Sequence, residues 1–548
     1  MKLTRSGSHI QRFILALGFA FAVGFALLSA LTRPSSAQNA ATATTQSPAA
    51  TAPSLPCTIT QVLPSDPSNK QKDPFSGKLA GSSLPTGLLP INEATRTAIL
   101  EAGLPCQESV SPFGQETVGL DNLQRGFDFY SWRTFIFLNS PADGTSILAA
   151  NAETRTRWED MANFKQLLDV MLPANLEPAS WPTDRAGMEA ESERLVPQEC
   201  RVLHSQMPER MVVKMIEESF NEPFSTGPLI DQNGRYAIFD ILMNRQMFDY
   251  IMRNHLNSKA GQAANSDLAV DFPAGTNGTA PNHSDRDLGA FMLKVSWKIL
   301  SDKEIAAKTF HTVEALVLTP PIPNETRKCL PETLGLIGFH AVHKTATRPQ
   351  WIWTSFEHVR NVPDSGEIQH LTPDDTFNFY KVNCVGACTV NATPPKPWDP
   401  DPALELRFRR DDSFKSQIVR VTPLTPAANN MNVIFQSMLA NTVWKNYMLI
   451  STQWPTNTNN CTKLQSAKSP DPKTDFLKQP DMTCSPAPPF MANSTLETYS
   501  QGDIPLASSS CIACHENAVD FQKSASNRQK NKPNLNQSDF TFILEKAQ

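Results

Sequence analysis

Strict alternation of apolar and polar residues marks the clearest predicted strand, over residues 291–300. Its apolar side is formed by Phe291, Leu293, Val295, Trp297 and Ile299. A period of two residues is typical of a strand with one buried face. Similar patterns predict strands at 235–243, 312–319, 334–344 and 351–359, the last two joined by a Thr-Arg-Pro turn. Strands that follow one another this closely favour antiparallel pairing.

Apolar residues at helical spacing predict helices around that sheet. The longest covers 121–139, with Asp121 as its N-cap, and ends at Ser140-Pro141. Shorter helices are predicted at 244–257, 430–439, 493–499 and from Ser538 onwards. These elements predict an α+β fold, with a large body of antiparallel sheet and surrounding helices and a small helical segment at the C-terminus.

Residues 1–37 predict a signal peptide. Basic residues precede an uncharged apolar run over 13–31, and Ser35-Ser36-Ala37 resembles a cleavage site. Because that run is nearly long enough to span a bilayer, an uncleaved N-terminal anchor is the alternative. We therefore predict a periplasmic protein that meets a membrane only if this segment is retained. Residues 38–56, rich in Ala, Thr, Ser and Pro, predict a flexible linker.

Length, charge and motifs exclude several classes of function. A chain of 548 residues is too long for one ordinary core, and its 44 prolines disfavour long uninterrupted helices. The net charge is −5 and no basic run could hold a phosphate backbone, so nucleic acid is not an expected partner. The sequence has no G-x-S-x-G elbow, phosphate loop or H-E-x-x-H motif, which leaves hydrolytic and nucleotide chemistry without support.

Ten cysteines in an exported chain predict disulfides. Eight of them lie outside the motif described next, and sequence alone leaves their pairing open. Cys461 and Cys484 are the preferred local pair, because they flank a polar, proline-rich loop. Cys384 and Cys388 could pair across a Val-Gly-Ala turn, whereas a metal site there would need a second cysteine pair that we do not find.

The sequence Cys511-Ile512-Ala513-Cys514-His515 matches the C-x-x-C-H signature of covalent haem attachment. Two thiols at this spacing add to the vinyl groups of the porphyrin, and the histidine that follows becomes an axial ligand of the iron. The alternative is a thioredoxin-like C-x-x-C with a chance histidine, which should open a helix after a strand. We predict one covalent haem c, attached through Cys511 and Cys514 and ligated by His515.

The motif does not assign the second axial ligand of the iron, and neither Met nor His follows His515 in the sequence. An upstream residue or a weak donor such as a Lys or Asn must supply it, or the position stays open. Met491 is the preferred candidate. The others, each of which could equally be a core residue, are Met482, Met438, Met448, His340, His343 and His358. His340 and His343 would point to opposite faces of a strand, so at most one serves a given site.

We place the α+β body at 57–455 and a cytochrome c-like haem segment at 456–548. The tail after the motif is too short to wrap a haem by itself. The haem is therefore expected to lie against the body.

Several stretches resemble a group of large bacterial proteins known as cytochrome c family proteins. The matching stretches are residues 127–132, 338–345, 351–359, 441–444, 511–515 and 538–542. They are spread over most of the chain after residue 120, and only the haem motif has a chemical role that carries over, onto Cys511, Cys514 and His515. The resemblance implies haem and iron binding and electron transfer, and it implies no substrate.

Three hypotheses of function follow. The first is an exported mono-haem c-type cytochrome that transfers electrons to a redox partner protein. The second is a haem oxidoreductase or gas-binding sensor with an open sixth iron position, in which a histidine of the sheet could serve as distal base. The third is a binding protein with a structural haem. The sequence indicates no catalytic residue and leaves open whether the protein is an enzyme.

Overall fold

A computed structural model describes residues 57–58, 93–108, 120–173, 176–213, 227–266, 268–275, 288–319, 326–386, 388–398, 406, 414, 416–456, 486–491, 493–501, 510–516, 518 and 538–548. The predicted signal peptide and linker, together with Cys461, Met482 and Cys484, lie outside these residues. Within the described ranges, no helix has the length and apolar character needed to cross a membrane. Residues Ala52–Gln548 form one compact unit, which holds the described parts of both the predicted body and the predicted haem segment.

The predicted antiparallel sheet is confirmed. The described strands are β1 (Cys57–Thr58), β2 (Leu104–Pro105), β3 (Phe164–Gln166), β4 (Met211–Val213), β5 (Ile238–Asn244), β6 (Phe291–Ile299), β7 (Thr312–Leu318), β8 (Cys329–Thr345), β9 (Arg348–His358), β10 (Tyr447–Pro455) and β11 (Pro486–Ala487). Within the described residues, nine of them form one sheet with the path β11-β10-β9-β8-β6-β5-β3, all antiparallel neighbours. β7 pairs with the first half of β8, and β4 adds to β7 in parallel.

Helices cover the sheet as the α+β prediction requires. The described α-helices are α1 (Glu93–Leu100), α2 (Leu120–Asn139), α3 (Arg185–Leu195), α4 (Arg201–Gln206), α5 (Arg245–Arg253), α6 (Lys259–Ala264), α7 (Asp302–Ala307), α8 (Pro426–Met438) and α9 (Cys511–His515). α8 begins earlier than predicted because the Thr425 side chain accepts a hydrogen bond from the Ala428 amide and Pro426 occupies the first turn. α2 begins at Leu120, so Asp121 lies inside the helix rather than at its cap.

One side of the sheet, which we call the α2 face, is apolar and aromatic. The predicted apolar row of β6 is confirmed, since all of its residues join one buried cluster. That cluster also contains Trp132 and Phe135 of α2 and Phe435 of α8. Because side chains alternate along a strand, the intervening residues must face the other way.

The opposite side, which we call the tail face, is covered largely by the C-terminal part of the chain. Its buried cluster includes Trp351 and Trp353 of β9, with Met491, Ile512 and Phe540 from the C-terminal segment. β11 belongs to that segment too and pairs with the end of β10. The described residues after 456 therefore complete the sheet and its second core.

Three predicted local features are wrong. The β8–β9 turn consists of Ala346 and Thr347, so Arg348 and Pro349 already belong to β9. Residues 493–499 form turns and the start of a 3₁₀ turn rather than an α-helix, because the Asn493 side chain accepts from the amide of Thr495. After Ser538, positive φ values precede a 3₁₀ turn at Phe542–Lys546, where the sequence predicts an α-helix.

Among the described residues three disulfides are present: Cys57–Cys106, Cys200–Cys329 and Cys384–Cys388. The Cys384–Cys388 pair across the Val-Gly-Ala turn is confirmed. The other two join residues 49 and 129 positions apart, which no local pattern could have revealed. The predicted Cys461–Cys484 pair lies outside the described residues.

Candidate haem site

The haem motif forms α9, a single helical turn lying against β9 and β10. The Cys514 amide donates to the carbonyl of Ser510 at 3.0 Å, which closes the turn. Residues three apart lie on the same side of a helix, so Cys511 and Cys514 share one side of α9. Neither thiol is in a disulfide. The motif is thus presented as two neighbouring reduced thiols followed directly by an imidazole.

Gln453 of β10 anchors this turn to the sheet. Its Oε1 accepts the amide of Ile512 at 2.8 Å and the hydroxyl of Ser510 at 3.3 Å. Its Nε2 donates to the carbonyl of Pro488 at 2.8 Å, and the residue is fully buried. Ile512, between the two cysteines, is also fully buried in the tail-face core. The middle of the motif therefore faces the protein, which fixes where the flanking thiols lie.

His515 has a defined tautomer. Its Nδ1–H donates to the carbonyl of Phe540 at 2.9 Å, since a carbonyl oxygen can only accept. Among the described residues Nε2 has no hydrogen-bond partner, so the lone pair is on that nitrogen. The ring packs between Trp353 at 4.3 Å and Phe542 at 5.0 Å, measured between ring centroids. A metal-ligating histidine has this arrangement, with one nitrogen bonded to a carbonyl and the other left for the metal.

Desolvation of the partly buried motif keeps all three of its titratable side chains uncharged at neutral pH. It raises the pKa of Cys514 to about 12 and that of Cys511 well above its ordinary value, and the nearby Glu497 carboxylate adds to both shifts. Burial lowers the pKa of His515 to about 4. The imidazole is therefore neutral over the physiological range, which is the form that binds a metal.

Glu497 and His340 form a partly buried, hydrogen-bonded pair beside the motif. His340 Nε2 lies 2.9 Å from Glu497 Oε1, and its Nδ1–H donates to the carbonyl of Thr354 at 3.3 Å. Burial alone would raise the pKa of Glu497, but His340 and, to a lesser extent, Lys294 lower it overall. Glu497 is thus an anion close enough to act on both thiols and on His515.

The histidines proposed as upstream ligands are all engaged elsewhere. His340 binds Glu497, as above. His343 contacts the hydroxyl of Tyr130 at 2.6 Å and the carbonyl of Leu288, which places it on the opposite face from His340, as predicted. His358 donates to the carbonyl of Thr309 at 3.1 Å and accepts the amide of Arg360. Burial lowers the pKa of His343 to about 4 and that of His358 to about 3. All three are buried and hydrogen-bonded in the folded protein.

The methionine candidates divide between the two faces. Met491 is 2% exposed and shares the tail-face cluster with Ile512. Met448 packs against that same cluster, whereas Met438 lies in the α2-face cluster away from the motif. Met482 is outside the described residues. Met491 stays the predicted sixth ligand, and of the other named candidates Met448 also lies on the tail face.

The donor set fits a covalent haem better than a bare metal ion. Within the described part of the chain, no group of three or more His, Cys, Asp or Glu side chains could hold a metal ion. Two reduced thiols and a carbonyl-bound imidazole are instead what thioether attachment and axial ligation require. A pocket of about 220 Å³ is present elsewhere, lined in part by Leu172, Met252 and His255, and includes no residue of the motif.

Three residues that shape the site, Gln453, Glu497 and Phe540, belong to no chemical motif in the sequence. Each comes from a different turn or strand end than the motif. Trp353 of β9 belongs to the tail-face cluster and also contacts the His515 ring directly.

Comparison with protein-family models, with curated proteins and with solved structures finds no match in any of the three. The resemblance to cytochrome c family proteins accordingly stays a prediction from the sequence.

Proposed function

We propose that this protein is an exported mono-haem c-type cytochrome that transfers electrons to a redox partner protein. The observation that carries the proposal is the state of His515: Nδ1–H donates to the Phe540 carbonyl while Nε2 is left available, directly after two unpaired thiols. The His515 ring is held in this orientation between Trp353 and Phe542, which supports a ligand role over a chance histidine after a redox C-x-x-C.

Each motif residue has a distinct role in this proposal. Cys511 and Cys514 would hold the haem covalently, and His515 and Met491 would be its protein ligands. Bound haem would contribute one-electron exchange at its iron. The apolar and aromatic residues that pack around Ile512 would exclude water from the ligands, and the Glu497 carboxylate would favour the more positive, oxidised state.

Haem attachment is tested by producing the full chain in a host with the periplasmic attachment machinery. We expect an intact-mass increase of one haem and a c-type absorption spectrum. The double variant Cys511→Ser/Cys514→Ser should lose both. The matched double variant Cys384→Ser/Cys388→Ser removes a partly exposed disulfide and should keep both the mass increase and the spectrum. A folded protein without covalent haem in such a host would overturn the proposal.

The second candidate is a haem protein with an open sixth position, such as a gas-binding sensor or an oxidoreductase. It is favoured by the engagement of His340, His343 and His358 in other hydrogen bonds. Carbon monoxide separates the two functions. An unchanged spectrum of the reduced protein supports two protein ligands, whereas a Soret shift supports the open site. Met491→Leu should convert the first behaviour into the second, and Met438→Leu should not.

A further inference from the structure

Behind the haem motif, on the tail face, lies a cluster centred on Asp539, in which Asp539 and Lys344 are buried and Asp271 is exposed. Its Oδ2 is 2.5 Å from Nζ of Lys344, which is also 2.5 Å from Oδ1 of Asp271. The Lys344 side chain is 1% exposed and that of Asp539 is fully buried. A buried ion pair adds little to stability by itself, because desolvation offsets much of the attraction. Stability alone therefore does not explain the presence of this cluster.

Two further hydrogen bonds converge on the same residue. Asp539 Oδ2 also accepts the amide of Phe272 at 2.7 Å. The Asp539 carbonyl accepts the indole N–H of Trp351 at 3.0 Å, and Trp351 is fully buried. Partners from other parts of the protein thus bind both the side chain and the main chain of Asp539.

The backbone at this point is strained. Asp539 and Phe540 have φ values of 50° and 62°, and Trp351 has a φ of 70° within strand β9. Residues other than glycine seldom adopt this region, and they keep it only where surrounding contacts enforce it. Here the strained pair turns the carbonyl of Phe540 towards His515, which it meets at 2.9 Å.

We infer that Asp539, held by Lys344 and Trp351, is a positioning residue that fixes the Phe540 carbonyl against Nδ1–H of His515. It thereby sets the tautomer and ring orientation of the imidazole. Any effect of Asp539 on an iron rests on the proposed function. There, a firmer Nδ1–H···O=C bond would make the imidazole a stronger donor and lower the reduction potential.

The first test uses the haem-free full chain, with Cys511→Ser/Cys514→Ser, and observes the His515 ring nitrogens by ¹⁵N NMR. The parent should show His515 in the Nδ1–H tautomer alone. Asp539→Asn, Lys344→Met and the milder Trp351→Phe should each give a mixture of tautomers. Glu191→Gln, which breaks the equally buried Lys165–Glu191 pair away from the motif, should leave one tautomer. This test needs no haem, so it stands if the proposed function fails.

The second test measures the reduction potential of the haem-loaded variants. If Asp539 positions the carbonyl, both Asp539→Asn and Lys344→Met should raise the reduction potential, since both weaken the hydrogen bond from His515 to the Phe540 carbonyl. A through-space charge effect predicts opposite shifts, because one variant removes an anion and the other a cation. Opposite shifts, or a single His515 tautomer in every folded variant, would overturn the inference. A native protein that carries no covalent haem, together with mixed tautomers in the variants, would instead overturn only the proposed function.

Discussion

The two faces of the central sheet are built in different ways from the same strands. On the α2 face, Trp132 stacks on Phe435 at 4.8 Å and Phe135 stacks on Phe356 at 4.2 Å. On the tail face, polar side chains of the strands meet the C-terminal segment through hydrogen bonds. Ser296 contacts Thr495, and Ser355 accepts from Asn493.

The two faces therefore contribute differently: the α2 face to the stability of the fold and the tail face to the placement of the C-terminal segment. Apolar contact is non-directional and scales with the area buried, so the α2 face supplies cohesion. Hydrogen bonds are directional and costly to leave unmade, so the tail face determines where each residue of the C-terminal segment lies. The haem motif is on the face that specifies position.

The largest expected effect is on the α2 face. Trp132 is fully buried between Phe435 and Phe356. Trp132→Ala should lower the free energy of unfolding by about 3–5 kcal/mol, because it removes an aromatic side chain and leaves a cavity. Urea unfolding measures the loss, with the exposed Val202→Ala as control. A loss below about 1 kcal/mol would contradict the cohesive role assigned to this face.

The next effect concerns a buried carboxyl on α2. Burial raises the pKa of Asp128 to about 7, although Gln124 and Thr452 donate to it. Between about pH 4 and 7 the folded state holds a proton that the unfolded state has lost, so stability falls as the pH rises, by at most about 1.4 kcal/mol per unit.

Asp128→Asn should remove this slope while its amide oxygen keeps accepting both hydrogen bonds. The variant should therefore gain stability relative to the native protein as the pH rises from 4 to 7. Unfolding curves at a series of pH values measure the difference. Parallel pH profiles for the two proteins would contradict the assignment, and Asp374→Asn, at an exposed site, should give such parallel profiles.

A smaller effect is expected where the C-terminal segment meets β8. A methyl group at Gly338 would clash with the hydroxyls of Thr495 and Ser296. Gly338→Ala should cost about 1–3 kcal/mol and should increase amide exchange in residues 493–497 before the rest of the protein unfolds. Gly366→Ala, at a site with open space, is the matched control. Unchanged exchange in 493–497 would argue against directional docking.

The smallest effect is electrostatic. Glu497→Gln removes an anion that acts on both motif thiols. In the haem-loaded protein it should raise the reduction potential by tens of millivolts, because the oxidised iron loses a stabilising negative charge. Spectroelectrochemical titration measures this, with the exposed Glu367→Gln as control. Equal potentials in all three proteins would mean that the charge is not felt at the site.

The α2 face was largely predictable from sequence, because it depends on local periodicity. The alternation in 291–300 identifies β6 and its buried side, and the spacing in 121–139 identifies α2. The short Cys384–Cys388 disulfide is local in the same way. Pairings such as β9 with β10 join residues about a hundred positions apart, and no local pattern carries that information.

The tail face was predictable only at the motif itself. Cys511, Cys514 and His515 follow from spacing and chemistry alone. Gln453 becomes an anchor only through the register of β10, and Glu497 only through the turn that replaces the predicted helix. Asp539 acts through a left-handed backbone, which depends on contacts with Lys344 and Trp351 rather than on its neighbours in sequence.

Burial of the two thiols also bears on the order of events as the protein matures. A thiolate reacts far faster than a thiol, and a pKa of about 12 at Cys514 leaves almost none of it ionised once α9 has docked. An undocked five-residue turn is too short to persist as a helix, so its cysteines are then accessible and ordinary in acidity. Any covalent modification of this pair is therefore expected while the C-terminal segment is still open, and docking then protects the product.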